Sequence, residues 1–157
     1  MFYSVSSTLV LLVGKTLSMK IAILGSMQFS LGMQDVGKRL VDLGHTPIYS
    51  TFLSTMLGKT AEEQEILKLQ QKHAEDAIRK DIENFADADG VLVLNFDKNG
   101  VENYIGGNTF LEIGIAYLQR KKIFFWKPIP QNPFYESEIQ AMKPLVLNGD
   151  LGQIQNL

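Results

Sequence analysis

"GVLVLNF", residues 90–96, is the most strand-like run in the chain, apolar without interruption until Asn95. A strand with one wet face alternates apolar and polar residues, whereas a strand covered on both faces reads as a continuous apolar run. The run therefore predicts a central strand with helices packed on either side. Upstream, "KIAILGS" (20–26) is a second buried strand ending in small residues. "MQDVGKRLVDLGH" (33–45) places Val36, Leu40, Val41 and Leu43 at mostly helical spacing, with Gly44 as a stop. "TPIYS" (46–50) is another short strand, and Thr51 to Lys59 has no period and reads as a loop over the sheet. Thr60 to Phe85 reads as one long helix, opened by a capping box from Thr60 to Glu63 and striped by Ile66, Leu69, Ile78, Ile82 and Phe85. Downstream, "ENYIGGNTFLEIGIA" (102–116) leads into a helix through Gln119. "KKIFFWKP" (121–128) is a strand stopped by Pro128, "ESEIQAM" (136–142) a short helix and "PLVLNG" (144–149) a fifth strand. The tail from Asp150 reads as a final helical turn.

This alternation predicts an α/β fold: a flavodoxin-like, doubly wound, five-stranded parallel sheet in the order 2-1-3-4-5, with helices on both faces. Ligands of such sheets bind beyond the carboxyl ends of the strands, where the strand order reverses. The expected site therefore lies between the loop at Ser26 to Phe29 and the stretch from Asn95 to Glu112.

A chain of 157 residues, 45% hydrophobic, suffices for one core, expected over residues 19–157. A net charge of -2 offers no broad basic surface for a nucleic acid polymer, so a small molecule is the expected ligand. Without cysteine there is no disulfide or thiolate, and His45 and His73 are not spaced as metal ligands. No metal and no cofactor are expected, and a cytoplasmic location fits. Residues 1–18, "MFYSVSSTLVLLVGKTLS", are uncharged until Lys15 and apolar only from Leu9 to Val13. That run falls short of the ~20 residues a membrane helix needs, so no membrane association is expected. "VGKT" lacks the earlier glycine of a phosphate-binding loop. Residues 1–18 are read as an extension or a misassigned start, with Met19 opening the domain.

Two carboxylates stand out. Glu112 ends "TFLE", which matches a capping box from Thr109; a carboxylate in a first helical turn is also stabilised in its ionised form by the helix dipole, ready to attack or to stabilise a cation. Gly114, inside the same helix, suggests a close approach. Asp81 lies three residues after Ile78 and four before Phe85, on the face that should pack inward, or at that face's solvated edge. Asp87 and Asp89 read as turn residues. Gly25 and Ser26 end the first strand where a ligand would meet backbone N–H groups and a hydroxyl. Tyr104, Trp126, Phe134 and Tyr135 are candidates to stack on a planar base or to fill the core, and His73 reads as a helix-surface residue.

From Met19 to about Pro128 the chain resembles the nucleoside 2-deoxyribosyltransferases and the related 2′-deoxynucleoside 5′-phosphate N-hydrolases. The resemblance rests on "ILGS" (23–26), "DIENFADADGVLVLN" (81–95), and "GGNTFLEIGIA" (106–116) followed by "KKIFF". It implies that Glu112 attacks the anomeric carbon and that Asp81 assists departure of the base. It also implies a pocket drawn from Gly25, Ser26, Gln28, Phe29, Asn95, Gly106, Gly107 and Asn108, in a homodimer or larger assembly. Two markers depart from the pattern. Gly106 stands where the transferases carry an aspartate and the hydrolases a serine, and Gln28 where the hydrolases carry an arginine. The longer loop from Asp97 to Tyr104 points to a separate branch. The expected function is cleavage or transfer at the N-glycosidic bond of a (deoxy)nucleoside or nucleotide; the alternative is a non-catalytic module that senses a nucleotide-derived ligand.

Overall fold

The computed structural model describes residues 17–156. The reading of residues 1–18 thus lies outside the described residues, Leu17 and Ser18 excepted. β1 (Lys20–Gly25) is followed by a 3-10 turn at Met27–Phe29 and by α1 (Ser30–Asp42). Next come β2 (Thr46–Ile48), α2 (Leu53–Met56), α3 (Ala61–Ala74), α4 (Ala77–Asn84) and β3 (Gly90–Leu94). α5 (Gly107–Leu118), β4 (Lys122–Phe125), α6 (Glu136–Ala141), β5 (Leu145–Val146) and a 3-10 turn at Leu151–Asn156 follow. The strands form one all-parallel sheet ordered β2-β1-β3-β4-β5, the flavodoxin-like arrangement that the strand-helix alternation predicts.

Alternate residues of each strand feed two cores, because strand side chains point to opposite faces in turn. Ile21, Ile23, Leu92, Leu94 and Phe124 pack with Met33, Val36 and Leu40 of α1 and with the C-terminal Leu151 and Ile154. Ala22, Leu24, Val91, Val93, Ile123 and Phe125 turn the other way, onto Phe85, Ile113, Ala116 and Ile139. Every residue of β3 is buried, which explains its unbroken apolar run. Each such large side chain contributes about 1.5–3 kcal/mol by leaving water. α1 closes as predicted at Gly44, with the N–H groups of Gly44 and His45 reaching back to the carbonyls of Val41 and Leu40, both at 2.9 Å. His45 is thereby buried, and its Nδ1 accepts from the Met19 N–H at 3.2 Å, joining the end of α1 to the start of β1.

The region from Thr60 to Phe85 corrects the sequence reading. Thr60 and Glu63 do form the capping box, but the helix ends at Ala74, and Asp76 adopts a left-handed conformation with φ 52°. This turn re-aims the chain, so that Ile82 and Phe85 of the following segment reach the sheet. The apolar stripe also fails on α3, where Ile66 and Leu69 are 62% and 49% exposed while Gln64 and Gln71 are buried. The inner face of α3 rests on the turn around α2, whose polar groups need partners. Gln64 Nε2 donates to the Met56 carbonyl at 2.9 Å and Gln71 Nε2 to Thr55 Oγ1 at 3.0 Å. The stretch from Thr51 to Lys59, read as a loop, holds the short α2 with Leu53 and Met56 buried. No helix among the described residues is long and apolar enough to cross a membrane.

Candidate active site

At the carboxyl ends of β1 and β3, where the strand order reverses, the sheet opens into a cleft holding about 780 Å³ of empty space, its solvent mouth included. Gly25 and Ser26 form its floor, Ser50 and Asp81 one wall, and Gly106, Gly107, Asn108 and Glu112 another. Gly25 is needed for close packing: a Cβ there would sit 3.0 Å from the Leu94 carbonyl oxygen of the paired strand.

Asp81 reaches the cleft from α4 and is held from the end of β2. Ser50 Oγ donates to both carboxylate oxygens at 2.9 and 3.0 Å, and the Thr51 N–H and Oγ1 donate to Oδ1 at 3.2 and 3.4 Å. Burial pushes the Asp81 carboxyl above its ordinary value, and these hydrogen bonds offset part of that rise. One turn's span along the helix, Asn84 donates to the Tyr49 carbonyl at 2.6 Å, so the orientation of α4 is tied to β2 at two points.

Glu112 corrects two expectations. The helix begins at Gly107 with Gly106 as its cap and no capping side chain, so Thr109 is a buried residue within the helix and Glu112 stands in the second turn. It is neither half of a capping box nor a first-turn anion. Its side chain is half-buried in the cleft wall, without a hydrogen bond from the described residues to offset that burial. Burial first, and the negative charge of Asp81 second, push it up to about 8. The ionised form is disfavoured, the reverse of what a first-turn position would give, and Glu112 carries a proton at neutral pH. Gly114 likewise marks no close approach, since nothing lies within 4 Å of the position its Cβ would take.

The cleft brings together Asp81, Glu112, Gly25, Ser26, Gly106, Gly107 and Asn108 from the sequence-based set. It does not bring in Gln28, Phe29 or Asn95. The Gln28 N–H donates to Ser26 Oγ at 3.4 Å, and the Phe29 ring meets Phe96 edge-on at 5.2 Å. Asn95 is buried as a structural clamp: its amide donates to the Lys127 and Pro128 carbonyls at 3.0 and 2.9 Å and accepts from the Lys127 N–H at 2.8 Å. Of the four aromatic candidates only Tyr104 lines the cleft. Trp126 packs on Phe96, Phe134 is exposed and Tyr135 stacks on Phe110. Ser50, Lys68, Lys72 and Lys98 also line the cleft and were missed. Ser50 follows a strand end as Ser26 does, a signal that was available; the lysines resembled a solvated helix face and a loop.

Two carboxylates on different helices thus share one cleft, one proton-bearing and one held by hydroxyl and amide donors. Environments that separate two carboxyl groups in this way let the pair hold one proton and one negative charge at the same site, as acid and nucleophile chemistry at one bond requires. Among the described residues no cluster of His, Asp or Glu is arranged to hold a metal ion. Compared with known proteins, the chain matches no protein-family model, no curated protein and no solved structure.

Proposed function

We propose that the protein breaks the N-glycosidic bond of a nucleoside or nucleotide and passes the sugar to water or to another base. The observation that carries this reading is the meeting of Asp81 and Glu112 in one cleft beside Gly25, Ser26 and Asn108. The residue pattern around both carboxylates, with its resemblance to the nucleoside 2-deoxyribosyltransferases, supplies the reaction type. Cleavage of such a bond passes through an oxocarbenium-like state, which a carboxylate stabilises, while the departing base needs a proton or hydrogen bonds. In the proposed sequence the proton of Glu112 is relayed to Asp81 through a water or the bound substrate as positive charge grows on the anomeric carbon. The freed carboxylate bonds that carbon while Asp81 protonates the departing base. Water or a second base then displaces Glu112, and the proton returns to the pair. The same resemblance supports a homodimer or larger assembly.

A second reading, a module that senses a nucleotide-derived ligand without turning it over, draws on the burial of Glu112, which pushes its carboxyl up to about 8 and disfavours the ionised form a nucleophile needs. Acid quenching during turnover, followed by peptide mass spectrometry, separates the two. The enzyme reading predicts a sugar-mass adduct on the peptide containing Glu112. Turnover with the adduct on a different residue would refute the assignment of the nucleophile, and ligand binding without any turnover would favour the sensor.

A further inference from the structure

The segment from Asp97 to Tyr104 is a built device. Lys98 and Val101 exchange both backbone hydrogen bonds, each 2.9 Å, around Asn99 and Gly100, whose φ values are 50° and 77°. Positive φ at both central residues is the tight hairpin turn that an Asn-Gly pair favours. The base of the hairpin is pinned by Asp97 Oδ1, which accepts from the Asn103 N–H at 2.9 Å and from Lys127 Nζ at 3.0 Å. The Tyr104 N–H closes it onto the Phe96 carbonyl at 3.0 Å.

The hairpin delivers the ammonium of Lys98 into the cleft. Its Nζ donates to Ser26 Oγ at 3.1 Å and lies 4.7 Å from the centre of the Tyr104 ring. Facing it from α3, one turn apart, are Lys68 and Lys72, both partly buried and both lining the same cleft. Burial lowers the pKa of Lys98 and the charge of Lys68 lowers it further, so the two ammonium groups repel each other across the space between them. Glu65 answers part of this charge by pairing with Lys68 at 2.5 Å. Lys72 and Lys98 form no salt bridge among the described residues. In a chain of net charge -2, three half-buried cations converging on one cleft are a local arrangement and not a general basic surface. The positive end of α5, at Gly107, opens onto the same space.

We infer that Lys98, Lys68 and Lys72, with Ser26, bind the phosphate of a nucleoside 5′-monophosphate, which makes the substrate a nucleotide and not a free nucleoside. The sugar and base part of this inference rests on the proposed glycosidic reaction; the anion site rests on the lysines alone. A phosphate dianion would relieve the repulsion between the ammonium groups and accept charge-assisted hydrogen bonds from them. Gly106 and Gln28 stand where the resembling hydrolases carry a serine and an arginine, so the lysines would be this chain's own way of holding an anion.

The test is calorimetric titration of the whole protein with the common ribo- and 2′-deoxyribonucleoside 5′-monophosphates and with their parent nucleosides, at low and moderate salt. A monophosphate is expected to bind about ten- to a hundredfold more tightly than its nucleoside, with the advantage shrinking as salt rises. Lys98→Gln and Lys72→Gln should each lower that ratio, and Lys98→Arg should largely restore it; circular dichroism checks that the variants are folded. Equal affinity for monophosphate and nucleoside, no binding of any monophosphate, or a ratio untouched in both glutamine variants would overturn the inference. Monophosphate binding without base release would retain the anion site and sink the glycosidic reading. Base release from nucleosides with no preference for phosphate would do the reverse.

Discussion

Burial, more than sequence position, decides what Glu112 is. In a first helical turn it would ionise readily; half-buried in the cleft wall with the charge of Asp81 nearby, its carboxyl is pushed up to about 8. Because the folded form binds this proton more tightly than the unfolded chain does, stability must fall as pH rises from the unfolded value near ~4.5 through about 8. Glu112→Gln, which cannot ionise, should therefore match the wild type in melting temperature near pH 5 and exceed it near pH 9. Melting curves across that range check this, and parallel curves would contradict it. Ser50→Ala removes the hydroxyl that bonds both oxygens of Asp81. Steady-state kinetics should show kcat lower by about ten- to a hundredfold, from the ~1.5–3 kcal/mol that a hydrogen bond to a charged group supplies, with a smaller change in KM. Both carboxylates were legible in the sequence, Asp81 by its place on an inward helix face and Glu112 by its motif. The protonation state of Glu112 was not, since it follows from what surrounds the carboxyl; Ser50 was readable as a strand-end hydroxyl, but its pairing with Asp81, 31 residues away, was not.

At the scale of elements, the break between α3 and α4 is set by Asp76, whose left-handed backbone costs a residue with a side chain ~1–2 kcal/mol. Its exposed pair with Arg79, at 2.9 Å, returns little of that. Asp76→Gly should leave stability unchanged or raise it by up to ~1 kcal/mol, the relief being offset by glycine's freedom when unfolded. Asp76→Val should lower stability by at least ~1 kcal/mol. Chemical denaturation measures both, and a valine variant as stable as the wild type would contradict the strained turn. Local pattern could not foresee this break, because Thr60 to Phe85 carries helix formers throughout and the turn exists to aim Phe85 at the sheet. Pattern also misread the inner face of α3. Gln64 and Gln71 are buried because they bond Met56 and Thr55, contacts that a count of apolar residues does not register. The strands, by contrast, were legible, since apolar runs bounded by turn residues have few other readings in a doubly wound fold.

For the whole molecule, the sheet order fixes where chemistry is possible by gathering Gly25, Asp81 and Glu112 from distant parts of the chain at one switch point. The proposed assembly has a candidate surface in Leu111, Tyr117 and Leu118 of α5, with Leu118 80% exposed. Light scattering should give the mass of a homodimer or larger assembly, reduced towards the monomer in Leu118→Glu; a wild-type monomer at all concentrations would contradict it. The central claim, that this cleft breaks an N-glycosidic bond through Glu112, is tested most directly by chromatography. The purified protein is incubated with nucleosides and their 5′-monophosphates, with and without a free acceptor base, and scored for released or exchanged base. The account predicts release or exchange by the wild type and a loss of at least about a hundredfold in Glu112→Gln with the fold intact. Undiminished turnover in Glu112→Gln, or no turnover of any substrate by the wild type, would contradict it.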